Sequence, residues 1–255
     1  MIHFTEQGQG IPLIFLHGMG LNAESWRYQL GAFSGDYRVI ALDLPGYGHS
    51  APLEEVSFAA YAQALQGFIR SHTLEQPILV GHSFGGMIVQ EYLALYPRSV
   101  RAAVLFATSP AFGNPQGEWQ QAFIKSRLKP FEEGKHMSDL ADGIVENMIG
   151  SGAKGAGLGL ARTALAATSD ETFKASVWCL TTFDQRENLS KIDVPTLLLV
   201  GEEDKSAPPT VMEKMASKIQ RSQYVCLPKL GHFAHLENPT LFNNELSAFL
   251  KGVKQ

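Results

Sequence analysis

The stretch Pro77-Ile78-Leu79-Val80-Gly81-His82-Ser83-Phe84-Gly85-Gly86 constrains this chain more than any other. Ile78 to Val80 form a short apolar run that reads as a buried strand, and Met87 to Tyr96 carry apolar residues at helical spacing until Pro97 ends the run. Between strand and helix lies Gly-x-Ser-x-Gly, the pattern of a nucleophile elbow. A serine on so tight a turn sits in strained backbone with its hydroxyl held out of the sheet. Gly81 and Gly85 are the residues such a turn demands, because a Cβ at either would hold strand and helix apart. The following helix aims its N-terminal N–H groups at the place where negative charge would develop. The stretch therefore predicts a nucleophilic Ser83, with the Phe84 N–H as a donor to an oxyanion.

The rest of the first half repeats the strand–helix rhythm. Strands are expected at Ile2 to Thr5, Pro12 to Leu16, Tyr37 to Leu42 and Val100 to Ala107. Asn22 is a cap for a helix through Trp26 and Leu30, and Ser57 starts an amphipathic helix carrying Phe58, Tyr61, Leu65, Phe68 and Ile69. Alternation of this kind predicts an α/β fold, a mostly parallel sheet with helices on both faces. From about Phe112 to Glu187 the chain turns helical and strand-poor. Helices are expected at Trp119 to Ile124, Leu140 to Ile149, Leu158 to Ala167 and Thr172 to Phe183. The expected organisation is a core of residues 1–111 and 188–255, with residues 112–187 inserted as a helical cap. Ligand sites in such sheets lie at the C-terminal ends of the strands, where a cap would shape a pocket and exclude water.

Composition excludes several classes. With 255 residues, a formal charge of −4 and no basic stripe, the chain has no nucleic-acid surface. No apolar run reaches membrane-spanning length and the N-terminus shows no signal segment, so a cytoplasmic protein is expected. Cys179 and Cys226 lie far apart in apolar surroundings and read as small core residues. Gly150-Ser151-Gly152-Ala153-Lys154-Gly155 spells a dinucleotide fingerprint but follows a helical rather than a strand pattern. It is read as a flexible connector, with Gly157 and Gly159 extending it. Basic residues of the insertion (Lys125, Arg127, Lys129, Arg162) are matched by nearby acids and read as solvated helix faces. The aromatics Trp119, Phe123, Trp178 and Phe183 read chiefly as core.

Two loops near the C-terminus carry the remaining candidates. Val194 to Val200 is an apolar strand running into Gly201-Glu202-Glu203-Asp204, where residue chemistry alone leaves three carboxylates open. Tyr224 to Leu227 is the last strand, and the loop after it holds His232 and His235. His-Phe-Ala-His is not a zinc motif, and no third ligand is evident, so neither metal nor organic cofactor is expected. Asp43 and His49, on the loop Asp43-Leu44-Pro45-Gly46-Tyr47-Gly48-His49-Ser50, are assigned to turn and capping work.

Together, His17-Gly18, the Asp43 to Ser50 loop, the Gly81 to Gly86 elbow, Gly201 to Asp204 and Gly231-His232 with Glu237 and Pro239 resemble the α/β-hydrolase superfamily along essentially the whole chain. The resemblance implies a triad in the order Ser83, Asp204, His232, the acid being the aspartate of a Gly-x-x-Asp loop. It implies an oxyanion hole of the Met19 and Phe84 N–H groups, Met19 lying on the loop after the second strand. The pocket is expected beside His17, His82, Trp119 and Phe123, with His17 a structural hydrogen-bonder. Within the superfamily the chain looks most like 3-oxoadipate enol-lactonase-type hydrolases. That implies a small ester or lactone, such as an enol-lactone of a dicarboxylic acid, cleaved through an acyl-enzyme on Ser83. Carbon–carbon hydrolases of meta-cleavage type and cofactor-free perhydrolases are similar in plan, and a small-ligand receptor or acyltransferase on the same fold is the alternative of another class. The expected partner is a small-molecule substrate; a homodimer is left open.

Overall fold

Strands that are apolar on both faces need cover on both faces, and the central strands here are of that kind. The computed structural model describes residues 1–253. Its strands are β1 (Phe4–Gln7), β2 (Pro12–Leu16), β3 (Arg38–Leu42), β4 (Ile78–His82), β5 (Ala102–Phe106), β6 (Thr196–Gly201) and β7 (Ser222–Leu227). They form one sheet in the order β1-β3-β2-β4-β5-β6-β7, antiparallel only where β1 pairs with β3. Every residue of β4, β5 and β6 is buried.

Period-two alternation assigns side chains to the two faces. Ile14, Leu16, Ile40 and Leu42 pack with α2 (Phe58–Ser71), α3 (Phe84–Leu95) and α8 (Pro209–Ala216). Leu13, Phe15, Val39 and Ala41 point the other way, onto α1 (Arg27–Phe33) and α10 (Pro239–Val253). Ser57 caps α2 as its sequence position predicts, its side chain accepting from the Ala60 N–H. Asn22 caps a short 3₁₀ turn leading into α1.

Between β5 and β6 stand α4 (Glu118–Glu132), α5 (Met137–Met148), α6 (Leu158–Ala167) and α7 (Asp170–Leu180). The two strands of chain entering and leaving this insertion are tied at its neck. Ala111 bridges Asp184, Phe112 N–H donates to Phe183 and Gln185 N–H donates to Pro110. The helices have a core of their own, in which Met137, Val145, Leu165 and Phe173 pack with Leu21, Phe233 and Leu236 of the main body.

Three expectations are corrected. The glycine run is packed at Gly150 and Gly157 rather than loose throughout: a Cβ on Gly150 would lie 2.3 Å from the Lys229 carbonyl oxygen and one on Gly157 2.4 Å from that of Leu236, while Gly155 and Gly159 face open space. Gly150 and Gly157 permit backbone-to-backbone packing of the insertion against the β7–α10 segment. Cys226 is exposed, because β7 is an edge strand with one side uncovered, while Cys179 is buried. Trp119 and Trp178 are 58% and 55% exposed rather than core, whereas Phe183 is buried. No described helix is long and apolar enough to cross a membrane.

Candidate active site

Ser83 follows β4 and is the N-cap of α3, with φ 51° and ψ −113°. Such a conformation in a non-glycine residue is strained and must be held by its surroundings. Ser83 N–H donates to Phe106 at 2.8 Å, and the Ser83 carbonyl accepts from Met87 N–H and Thr108 Oγ1. The flanking glycines make the turn sterically feasible, since a Cβ at Gly81 or Gly85 would sit 2.5 Å from a backbone oxygen. Phe84 is the first residue of α3, so its N–H is one of those a helix cannot satisfy internally. Phe84 and Met19 line the same cavity as Ser83.

The three carboxylates after β6 separate by their partners. Glu202 accepts from Lys229 N–H, and Glu203 accepts from the Ser151 N–H and hydroxyl. Asp204 alone meets a histidine: His232 Nδ1–H donates to its Oδ2 at 2.8 Å, and its Oδ1 accepts from the Ser206 and Ala207 N–H groups. Asp204 and His232 are both buried, at 3% and 5% exposure, and His232 lines the cavity with Ser83. A buried carboxylate bonded at Nδ1 fixes the tautomer that leaves Nε2 free to accept a proton.

Glu237, whose position alone revealed nothing of its contacts, holds this loop in place. Its buried carboxylate accepts from the Gly150 and Gly231 N–H groups at Oε2 and from Phe233 N–H at Oε1. Burial raises its pKa against the opposing pull of these three donors. The His232 N–H donates to the Met148 carbonyl at the end of α5, a second tie between this loop and the insertion. Glu237→Gln turns an acceptor into a donor and leaves one buried N–H unpaired, costing about 1–3 kcal/mol. A Tm lower by roughly 3–10 °C is expected from thermal melts, with kcat falling as His232 loses its fixed position.

The other histidines are structural. His17 is fully buried outside the cavity lining; its Nδ1–H donates to Gly18 O and its Nε2 accepts from Leu44 N–H. Burial brings its pKa down to about 4. His82 is buried next to Ser83, donating from Nε2 to the His232 carbonyl at 2.9 Å, and burial holds its pKa well below the usual value. His235 packs 4.5 Å from the Trp26 ring, and burial pushes it down to about 3. Asp43 serves the turn, accepting from the Ala23 and His49 N–H groups and from His3. His3, Asp43 and His49 are the one described trio with ligand-type atoms near enough for a metal, and that carboxylate is already engaged.

These depressed histidines predict acid lability. Each stays neutral when folded but takes up a proton near pH 6.5 when unfolded, so the unfolded state binds more protons below that pH. Stability is then lost as pH falls from about 6.5 toward 4, by roughly 2 kcal/mol per histidine at pH 5. Melts at pH 7.5 and 5.0 are expected to show this loss, and His235→Phe is expected to reduce it. An unchanged acid slope in that variant would show that His235 does not contribute.

The cavity measures about 110 Å³ and is walled by Phe84, Met87, Phe112, Phe123, Met148 and Leu180, with Trp119 and Arg127 also in its lining. A smaller compartment of about 40 Å³ adjoins it, reaching His82, Leu165 and Phe173, and shares Met19, Ser83, Arg127 and His232. Trp119 and Phe123 line the larger compartment, His82 lines the smaller one, and His17 lines neither. Arg127, read from its neighbours in sequence as part of a solvated face, lines both compartments. Which face of α4 meets the cavity is decided by tertiary packing and leaves no local signature.

Comparison with known proteins follows the same lines. A sequence profile described as Alpha/beta hydrolase family matches residues 13–245. AB hydrolase superfamily protein YisY of Bacillus subtilis (strain 168) is 31% identical over 252 residues, covering 95% of this chain and 92% of the relative. A pimeloyl-[acyl-carrier protein] methyl ester esterase of Vibrio vulnificus (strain YJ016) is 27% identical, covering 97% of both chains. Among solved structures, the enol-lactonase from Burkholderia xenovorans LB400 superposes with a TM-score of 0.84 at 22% identity, over 98% of this chain and 96% of that one.

Proposed function

Because the chain belongs to the alpha/beta hydrolase family, we propose that it is a serine hydrolase that cleaves a small ester or lactone through an acyl-enzyme. One observation carries this reading: a strained Ser83 and a His232 bonded to buried Asp204 line one small cavity. Ser83 Oγ attacks the substrate carbonyl while His232 Nε2 takes its proton, and Asp204 stabilises the imidazolium so formed. The Met19 and Phe84 N–H groups receive the oxyanion, where loss of one donor typically costs ~10²–10³ in rate. His232 returns the proton to the leaving oxygen, then activates a water that releases the acid and frees Ser83.

The helical insertion acts as a cap in this reading. Its Phe123, Met148 and Leu180 complete the apolar wall and keep bulk water from the acyl-enzyme. The small cavity favours a short acyl part. The methyl ester esterase among the relatives supports ester chemistry, and the Gly-His-Ser-Phe-Gly elbow supports a serine nucleophile. The test is a series of p-nitrophenyl esters of increasing acyl length. Turnover that is highest for short chains and falls as they lengthen is expected. Absence of turnover with every ester would point to the receptor alternative.

A further inference from the structure

Arg127 is the charged side chain that this reaction scheme leaves without work. It lies in the third turn of α4, is half-buried, and lines both compartments that hold Ser83 and His232. The three basic residues grouped with it above, Lys125, Lys129 and Arg162, are accounted for. Lys129 pairs with Glu133, Arg162 pairs with Asp142, and Lys125 is exposed to solvent. Arg127 makes no hydrogen bond or ion pair with any described residue; the Phe123 ring faces it, with its centroid 5.2 Å from Cζ. Burial lowers its pKa, and no neighbouring acid opposes that shift. A guanidinium does not shed its proton in a protein, so the cavity wall holds a positive charge without a protein counter-ion. Withdrawing such a charge from water is unfavourable unless an anion meets it.

We propose that Arg127 is the anion-binding residue of this site and that the substrate carries a carboxylate, held by the guanidinium while Ser83 attacks a carbonyl elsewhere in the same molecule. This rests on the hydrolase reading above and adds the substrate class to it. A carboxylate matches the planar fork through two parallel hydrogen bonds, and its single charge matches the single guanidinium. A phosphate dianion would bring a second charge into a cavity whose lining holds no other arginine and no lysine to meet it. The Phe123 ring, with its centroid 5.2 Å from Cζ, attracts the guanidinium through its π face. Arg127 is thus a specificity-determining residue, and its charge discriminates a half-ester of a dicarboxylic acid from a neutral ester of equal length.

The test compares p-nitrophenyl hexanoate with mono-p-nitrophenyl adipate, which share a chain length and differ in the terminal carboxylate. Wild type is expected to favour the adipate ester in kcat/KM by about 10- to 100-fold, the range for hydrogen bonds to a charged group. Arg127→Met is expected to erase that ratio and Arg127→Lys to restore part of it. A wild type without preference, or a variant that lowers both esters equally, overturns the proposal. Calorimetric binding of the adipate ester to Ser83→Ala, with and without Arg127→Met, gives a readout without turnover. Arg127-dependent binding is expected, and equal binding by the two proteins overturns the assignment. Arg127-dependent binding in a wild type that turns over neither ester would leave Arg127 in place and sink the hydrolase reading instead.

Discussion

Ser83→Ala is expected to lower kcat for ester hydrolysis by a factor on the order of 10⁶, the loss seen when a triad nucleophile is removed. No other hydroxyl can take its place in the scheme. Thr108, Ser109 and Ser206 also line the cavity, but Thr108 Oγ1 is committed to the Ser83 carbonyl and none of the three sits on the elbow. The fold is expected to survive, because alanine keeps the Cβ that this backbone already accommodates and adds no atom. Equal Tm values for the two proteins, beside a loss of turnover, would separate chemistry from folding. Retained turnover would show that the reaction runs through another nucleophile.

Asp204→Asn is expected to lower kcat by about 10⁴-fold while leaving the loop geometry nearly intact. The reason lies in the two ends of the carboxylate. Oδ1 faces two backbone N–H groups, from Ser206 and Ala207, and Oδ2 faces His232 Nδ1. An asparagine keeps its oxygen toward the two N–H donors and so presents its NH₂ to His232. The imidazole must then accept at Nδ1 and carry its proton on Nε2, the wrong tautomer for taking a proton from Ser83. The measurement is kcat across the ester series, with Tm as the control. Activity within tenfold of wild type would mean that Asp204 does not set the tautomer of His232.

Where the sequence was informative, the signal was local and periodic. Apolar runs such as Ile78 to Val80 and Leu197 to Val200 became fully buried strands because both faces of a parallel sheet are covered. The elbow was legible because a tight strand-to-helix turn admits few residue types, and Gly81 and Gly85 do lie where a Cβ would strike backbone. The loop acids were less so. Glu202, Glu203 and Asp204 have the same chemistry, and only the resemblance, then the three-dimensional partners, separate them.

What escaped the sequence depends on how distant segments meet. The glycines at 150 and 157 read as flexibility, yet they serve close packing against a loop some eighty residues on. Glu237 could be named as part of a family pattern, but not as the carboxylate that gathers the Gly150, Gly231 and Phe233 N–H groups. Cys226 became exposed because β7 has no neighbour on one side, which composition cannot reveal. Arg127 is the sharpest case. Its sequence neighbours balance its charge, but on the folded helix Lys129 takes Glu133 while Arg127 turns inward to the cavity.

Reaction with a serine-directed fluorophosphonate, followed by intact mass and peptide mapping, tests the central claim most directly. One adduct per chain on the peptide carrying Ser83, with loss of ester turnover and no labelling of Ser83→Ala, is the result expected of an activated nucleophile. Ester turnover that persists in protein left unlabelled, or an adduct mapped to any other residue, would contradict it.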